Sequence, residues 1–93
     1  MSDEDREPVA VRRKRLRFRA WHRGTKEMDL LMGPFADERI DRLDEGQLAE
    51  FEALLSEPEP DVYGWIVGNA APPSRLHGTV FDQIIDYHAS KHA

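Results

Sequence analysis

Apolar positions recur at helical spacing along nearly the whole chain, and breakers divide them into short segments. Val11 to Arg23 (VRRKRLRFRAWHR) has no breaker and is rich in helix formers, so it predicts a first helix. On its helical wheel Arg12, Arg15, Arg19 and Arg23 form one stripe, while Val11, Phe18 and Trp21 gather on another. The expectation is that the aromatic stripe faces the core and the arginines face outward. Gly24 is placed to stop this helix, because a glycine lets the chain turn without a Cβ clash.

A second helical pattern runs from Thr25 to Leu43, with Met28, Leu31, Met32, Phe35, Ile40 and Leu43 on one broad apolar face. Pro34 removes a backbone hydrogen bond, so Gly33-Pro34 predicts a kink or break. The third helix carries its own start signal. Asp44 caps it with Gln47 three residues on, Leu43 can staple onto Leu48, and Leu48, Phe51, Leu54 and Leu55 form a buried face that ends near Ser56.

Pro60 at the first position opens a fourth helix through Val67, with Val62, Trp65 and Ile66 inward and Gly68 as its stop. Asn69 to Pro73 reads as a loop. Ser74 then opens a last helix with Leu76, Val80, Phe81, Ile84 and Tyr87 or His88 on its apolar side. No strand of credible length is visible. The fold class expected is all-α: one small bundle of about five short helices over residues 11–90, behind an acidic, flexible lead at 1–10 and before a tail at 91–93.

Composition sets limits on that bundle. Leu, Ile, Val and Phe supply 21 of the 93 residues, enough for one modest core and too few for a second. With no cysteine, a disulfide framework, a thiol nucleophile and a finger-type zinc site are excluded. The net charge of -5 conceals a polarity: residues 1–27 sum to +4 and residues 28–93 to -9. That asymmetry suits an oriented partner surface better than general affinity for nucleic acid, which favours a basic domain as a whole. No apolar run approaches a membrane span, and the acidic start (Asp3, Glu4, Asp5, Glu7) is unlike a transit or signal peptide. A cytoplasmic protein with no membrane insertion is expected.

The chemistry-bearing residues are sparse. The glycines are scattered and follow no strand, which excludes a dinucleotide fingerprint and a phosphate loop. Ser56, Ser74 and Ser90 sit at helix ends without a nucleophile elbow. His88 and His92 share a helix face but lack a third ligand, and His22 and His77 are single. We therefore expect no catalytic residue, no metal, no stably bound cofactor and no enzymatic activity. The basic stretch Arg12 to Arg19, with Phe18 and Trp21 as stacking groups, supports an alternative: a small nucleic-acid-binding or regulatory module using the first helix. Core packing explains the two aromatics more simply, and the acidic remainder repels a polyanion, so no nucleic acid is the expected reading.

Arg23-Gly24-Thr25-Lys26-Glu27 is left. By residue type it is a helix junction, with a glycine stop and a carboxylate in the next first turn. Yet it also sets a cation and an anion beside a glycine at the end of the arginine stripe. Arg23, Gly24 and Glu27, then Met28-Asp29-Leu30, Pro34 after a short apolar stretch, and Pro60-Asp61-Val62-Tyr63-Gly64-Trp65 together resemble the succinate dehydrogenase assembly factor family, the bacterial flavinylation factors and their mitochondrial counterparts. The similarity covers about residues 11–88.

The resemblance implies an all-helical protein that binds the flavoprotein subunit of succinate dehydrogenase, and in some bacteria that of fumarate reductase. Such a protein promotes covalent attachment of FAD to a histidine of its partner. Arg23, Gly24 and Glu27 carry over as the signature surface, Asp29 matches the aspartate after it, and Arg19 adjoins it as a further partner-binding candidate. Trp65 matches the family's tryptophan, with a core role equally open to it. Gly64 departs from the larger polar residue common there. The flavin belongs to the partner on this reading, and whether this chain touches FAD is left open.

Overall fold

The computed structural model describes residues 7–76 and 78–91. Among these the chain forms five α-helices: α1 (Val9–Trp21), α2 (Lys26–Arg39), α3 (Glu45–Leu55), α4 (Glu59–Val67) and α5 (Thr79–Lys91). Short 3-10 turns cover Ile40–Arg42 and Ser74–Leu76. There is no strand among the described residues. The small all-α bundle expected from periodicity is the fold observed. Helix α1 packs on α2 and α3, and α5 closes the opposite side against α2 and α3.

The core is continuous. Met28, Met32, Phe35 and Ile40 from the second segment meet Leu48, Phe51, Leu54 and Leu55 from α3, with Val62 from α4 and Val80, Phe81, Ile84 and Tyr87 from α5. Phe35 sits at its centre, 5.7 Å from the Phe51 ring and 5.8 Å from Tyr87 in an edge-on contact. Aromatic pairs in these tilted arrangements add to the stabilisation from burial alone.

Helix α3 begins as its sequence dictates. Asp44 Oδ1 accepts from the Gln47 backbone at 2.8 Å, and Gln47 Oε1 accepts from the Asp44 backbone at 3.0 Å, a complete capping box. Ser56 ends it. Helix α4 starts at Glu59, so Pro60 is its second residue rather than its first, and Gly68 stops it at φ +85°. Trp65 and Ile66 are half-buried at the core's edge, while Val62 alone from α4 is fully enclosed. Ser74 opens a 3-10 turn, and α5 itself starts five residues later than expected, at Thr79.

Helix α1 departs most from its expected orientation. It starts at Val9, inside the stretch expected as a flexible lead, and ends at Trp21, so Gly24 lies beyond its cap at His22 instead of stopping it directly. Leu16 and Ala20 are its buried residues, whereas Phe18 is 64% and Val11 51% exposed. Phe18 stacks on His22, with ring centroids 4.0 Å apart. The arginine stripe faces α3 rather than solvent: Arg12, Arg15 and Arg19 all reach Glu52, at 3.2, 2.9 and 3.8 Å. Burial of Leu16 and Ala20 fixes the rotation of α1, and that rotation turns the arginine stripe onto Glu52.

Pro34 does not break α2, which runs unbroken through it. Gly33 has a different task. A Cβ at that position would overlap the Trp21 indole, whose Nε1 donates to Asp37 Oδ2 at 3.1 Å. The glycine is a seat for the tryptophan.

Candidate functional site: the junction of the first two helices and the start of the fourth

Residues 22–25 turn the chain from α1 into α2. Gly24 takes φ +112°, a conformation that side chains oppose. Thr25 then caps α2 by accepting from the Met28 backbone at 3.3 Å, and Glu27 and Asp29 occupy the first turn, where the helix dipole favours carboxylates. Asp29 reaches back across the turn. Its Oδ1 accepts from the Arg23 backbone N–H at 2.7 Å, which ties the junction closed.

Arg23 points inward. Its side chain is only 8% exposed, Nη1 donates to the Leu55 carbonyl, and Nη2 donates to the Glu57 carbonyl at 3.0 Å. The guanidinium thereby satisfies carbonyls that the end of α3 and the following turn leave unpaired. Nε lies 4.0 Å from Glu59 Oε1. Burial pushes the guanidinium below its ordinary value, and the Glu59 charge opposes that shift while Arg19 adds to it. Arg19 in turn donates to Ser56 Oγ at 3.3 Å and lies within ion-pair range of Glu52. Of the two arginines expected at the partner surface, Arg23 therefore commits both outer nitrogens within the fold, whereas Arg19 keeps about a third of its side chain exposed.

Glu27 does the opposite. It is exposed, on the rim of an open groove of about 380 Å³ lined by Thr25, Glu27, Met28, Glu59, Pro60 and Tyr63. Tyr63 is 40% exposed there. The structure therefore brings Arg23, Gly24, Asp29 and Glu59 into one tight cluster and leaves Glu27 on its outer side. Trp65 belongs to the core's edge.

Two residues of this surface, Glu59 and Tyr63, escape selection from the sequence. Tyr63 lies inside the P-D-x-x-x-W string with nothing there to single it out. Glu59 gives no local signal, since its neighbour Arg23 is 36 positions away in the chain.

The groove does not fit a flavin dinucleotide. Its lining includes two carboxylates and no basic side chain, the wrong sign for a pyrophosphate. Nor is there a cluster of three metal-ligating groups among the described residues. His88 packs edge-on against Tyr87, with Nε2 2.7 Å from the Leu31 carbonyl, and His77 and His92 lie outside the described residues. No helix among the described residues is long and apolar enough to cross a membrane.

A family described as flavinator of succinate dehydrogenase matches residues 14–88, which include every element of this junction and groove. The chain belongs to that flavinator family. Among curated relatives it is similar to the mitochondrial succinate dehydrogenase assembly factor 2 of Dictyostelium discoideum, 37% identical over 82% of this chain and 53% of the relative. It is likewise similar to the FAD assembly factor SdhE of Acetobacter pasteurianus, 40% identical over 70% of this chain and 60% of the relative. The SdhE of Aliivibrio fischeri is 32% identical over 77% of this chain and 84% of its own length. The chain thus spans only 53% and 60% of the first two relatives. Within the family match, the string Arg23-Gly24-x-x-Glu27 divides into an internal arginine, a glycine at positive φ and an exposed glutamate.

Proposed function

We propose that this chain is an assembly factor that binds the flavoprotein subunit of succinate dehydrogenase and promotes covalent attachment of FAD to it, without being an enzyme itself. The observation that carries this reading is Glu27. Of the two charged signature residues, Arg23 is turned inward and Glu27 is exposed, bordering a groove rimmed by Pro60 and Tyr63 from the second stretch of family resemblance. The flavoprotein subunit of fumarate reductase, which the resemblance implies for some bacteria, is proposed as a second client. The cytoplasmic setting expected from the sequence belongs to this proposal.

The action that suits such a surface is positioning. Covalent flavin attachment requires a flavin carbon and a histidine nitrogen of the partner to be held in reacting geometry, and orientation alone can lower a barrier substantially. This chain's residues supply a rigid contact face: Arg23 and Asp29 fix the junction, and Glu27 presents a carboxylate to a partner cation. Binding that favours one partner conformation shifts its population toward it.

For the alternative nucleic-acid module, exposed Phe18 is available to stack, but the arginines beside it are engaged within the chain. Arg12, Arg15 and Arg19 are drawn to Glu52, so a phosphate must compete with an intramolecular carboxylate for each. Co-purification from native extract separates the two readings. Recovery of a large flavoprotein supports assembly; recovery of nucleic acid with a steep salt dependence overturns it.

A further inference from the structure

We infer that Glu59 is a positioning residue of the partner surface, seated by Arg23 and Gly24 so that the start of α4 stands opposite Glu27. This rests on the proposed function for its readout in binding and stands apart from it in its structural arm. Glu59 is the first residue of α4, and its neighbours Pro60 and Tyr63 form the groove wall facing Thr25, Glu27 and Met28.

Three observations converge on this carboxylate. Its Oε1 is buried without a hydrogen-bond partner, and so is Arg23 Nε, 4.0 Å away. The two outer nitrogens of Arg23 are committed to the Leu55 and Glu57 carbonyls, so the charge that Glu59 meets is held in place by the α3–α4 turn itself. Gly24 supplies the room. A Cβ there would stand 3.2 Å from Glu59 Oε1, tighter than ordinary packing.

The arginine and the glycine of the signature therefore share one neighbour from a distant segment. Val62, fully buried, and the half-buried Trp65 and Ile66 anchor α4 on the core, so the helix does not depend on Glu59 to form. What the Arg23–Glu59 pair fixes is the placement of the first turn of α4, and with it the spacing between Tyr63 and Glu27. On this account the demand for arginine and glycine at 23 and 24 is met inside the protein, and only the glutamate at 27 meets the partner. A largely buried ion pair held across a gap also resists replacement by lysine, which lacks the planar fork that serves two carbonyls and faces a carboxylate at once.

The test is a double-mutant cycle on the full chain with Glu59→Gln and Arg23→Lys, reading affinity for the succinate dehydrogenase flavoprotein subunit, melting temperature, and exchange of the hydrogen-bonded amides of the segment 57–63, such as Glu57 and Val62. Glu59→Gln is expected to keep the wild-type melting temperature within a few degrees, speed exchange in that segment about tenfold, and weaken partner binding about tenfold. The double variant should bind within about twofold of the weaker single variant, because both changes break one unit. Unchanged exchange in Glu59→Gln overturns the inference, as do losses that multiply in the double variant. If Arg23→Lys does not fold, the Glu59→Gln arm decides alone. If the wild-type chain shows no affinity for the flavoprotein subunit, the proposed function fails, and the exchange measurement still decides the role of Glu59.

Discussion

The Trp21 indole fills the space that a side chain at Gly33 would occupy, and its Nε1 donates to Asp37 one turn further along α2 at 3.1 Å. Gly33 is thereby the close-approach point between the first two helices. Gly33→Ala should destabilise by about 1–3 kcal/mol through overpacking, despite the better helix propensity of alanine. Denaturant unfolding checks this, and a stabilised variant would contradict the packing described.

Gly64 gives the opposite sign. It lies inside α4, and a Cβ there would have no neighbour within 4 Å, so a methyl group meets open space. Gly64→Ala should therefore stabilise the chain by about 0.5–1 kcal/mol, the usual gain from removing an interior helix glycine. Thermal melting reads the effect directly.

How much of this is legible in the sequence depends on the range of each interaction. The capping box of Asp44 and Gln47 and the α3 face are readable because every partner lies within one or two turns. The rotation of α1 is not. Phe18 and Trp21 look like the natural core residues, but Leu16 and Ala20 take the buried face, the arginines meet Glu52 from 33 to 40 positions away, and Phe18 is left outside. Gly33-Pro34 signals a kink or break as a local string; α2 is not broken there, and only Trp21 explains the glycine. Arg23 and Gly24 stand out in the sequence, yet their surroundings at Leu55, Glu57 and Glu59 are features of the tertiary fold.

Gly24→Ala tests the junction. At φ +112° an alanine is strained, and its Cβ also crowds Glu59, so the variant should lose about 1–2 kcal/mol of stability. Gly24→Arg should abolish function. A Gly24→Ala protein with wild-type stability would remove the strain from this account.

Acid stability should report on Glu52. Burial pushes its carboxyl up, but hydrogen bonding and charge from Arg15, then Arg12, outweigh that and hold it below the ordinary glutamate value of 4.5. A carboxyl depressed on folding contributes stability above its unfolded value, and the contribution is lost as pH falls through the folded one. Stability should thus decline below about pH 4.5, and Glu52→Gln should be weaker by about 1 kcal/mol at neutral pH with a flatter acid limb. Parallel acid limbs for the two proteins would place the titration elsewhere.

The proposed function stands most directly on Glu27. A first-turn carboxylate contributes only about 0.3–1 kcal/mol to the helix, whereas removing one member of a desolvated interfacial charge pair costs about 2–5 kcal/mol in binding. The deciding measurement is in-gel flavin fluorescence of the denatured succinate dehydrogenase flavoprotein subunit, matured with the wild-type chain, with Glu27→Ala, or with neither. Strong covalent fluorescence with the wild-type chain, and little with a Glu27→Ala protein that melts normally, is the predicted result. Covalent flavin at the wild-type rate with Glu27→Ala, or no gain from the wild-type chain, would contradict it.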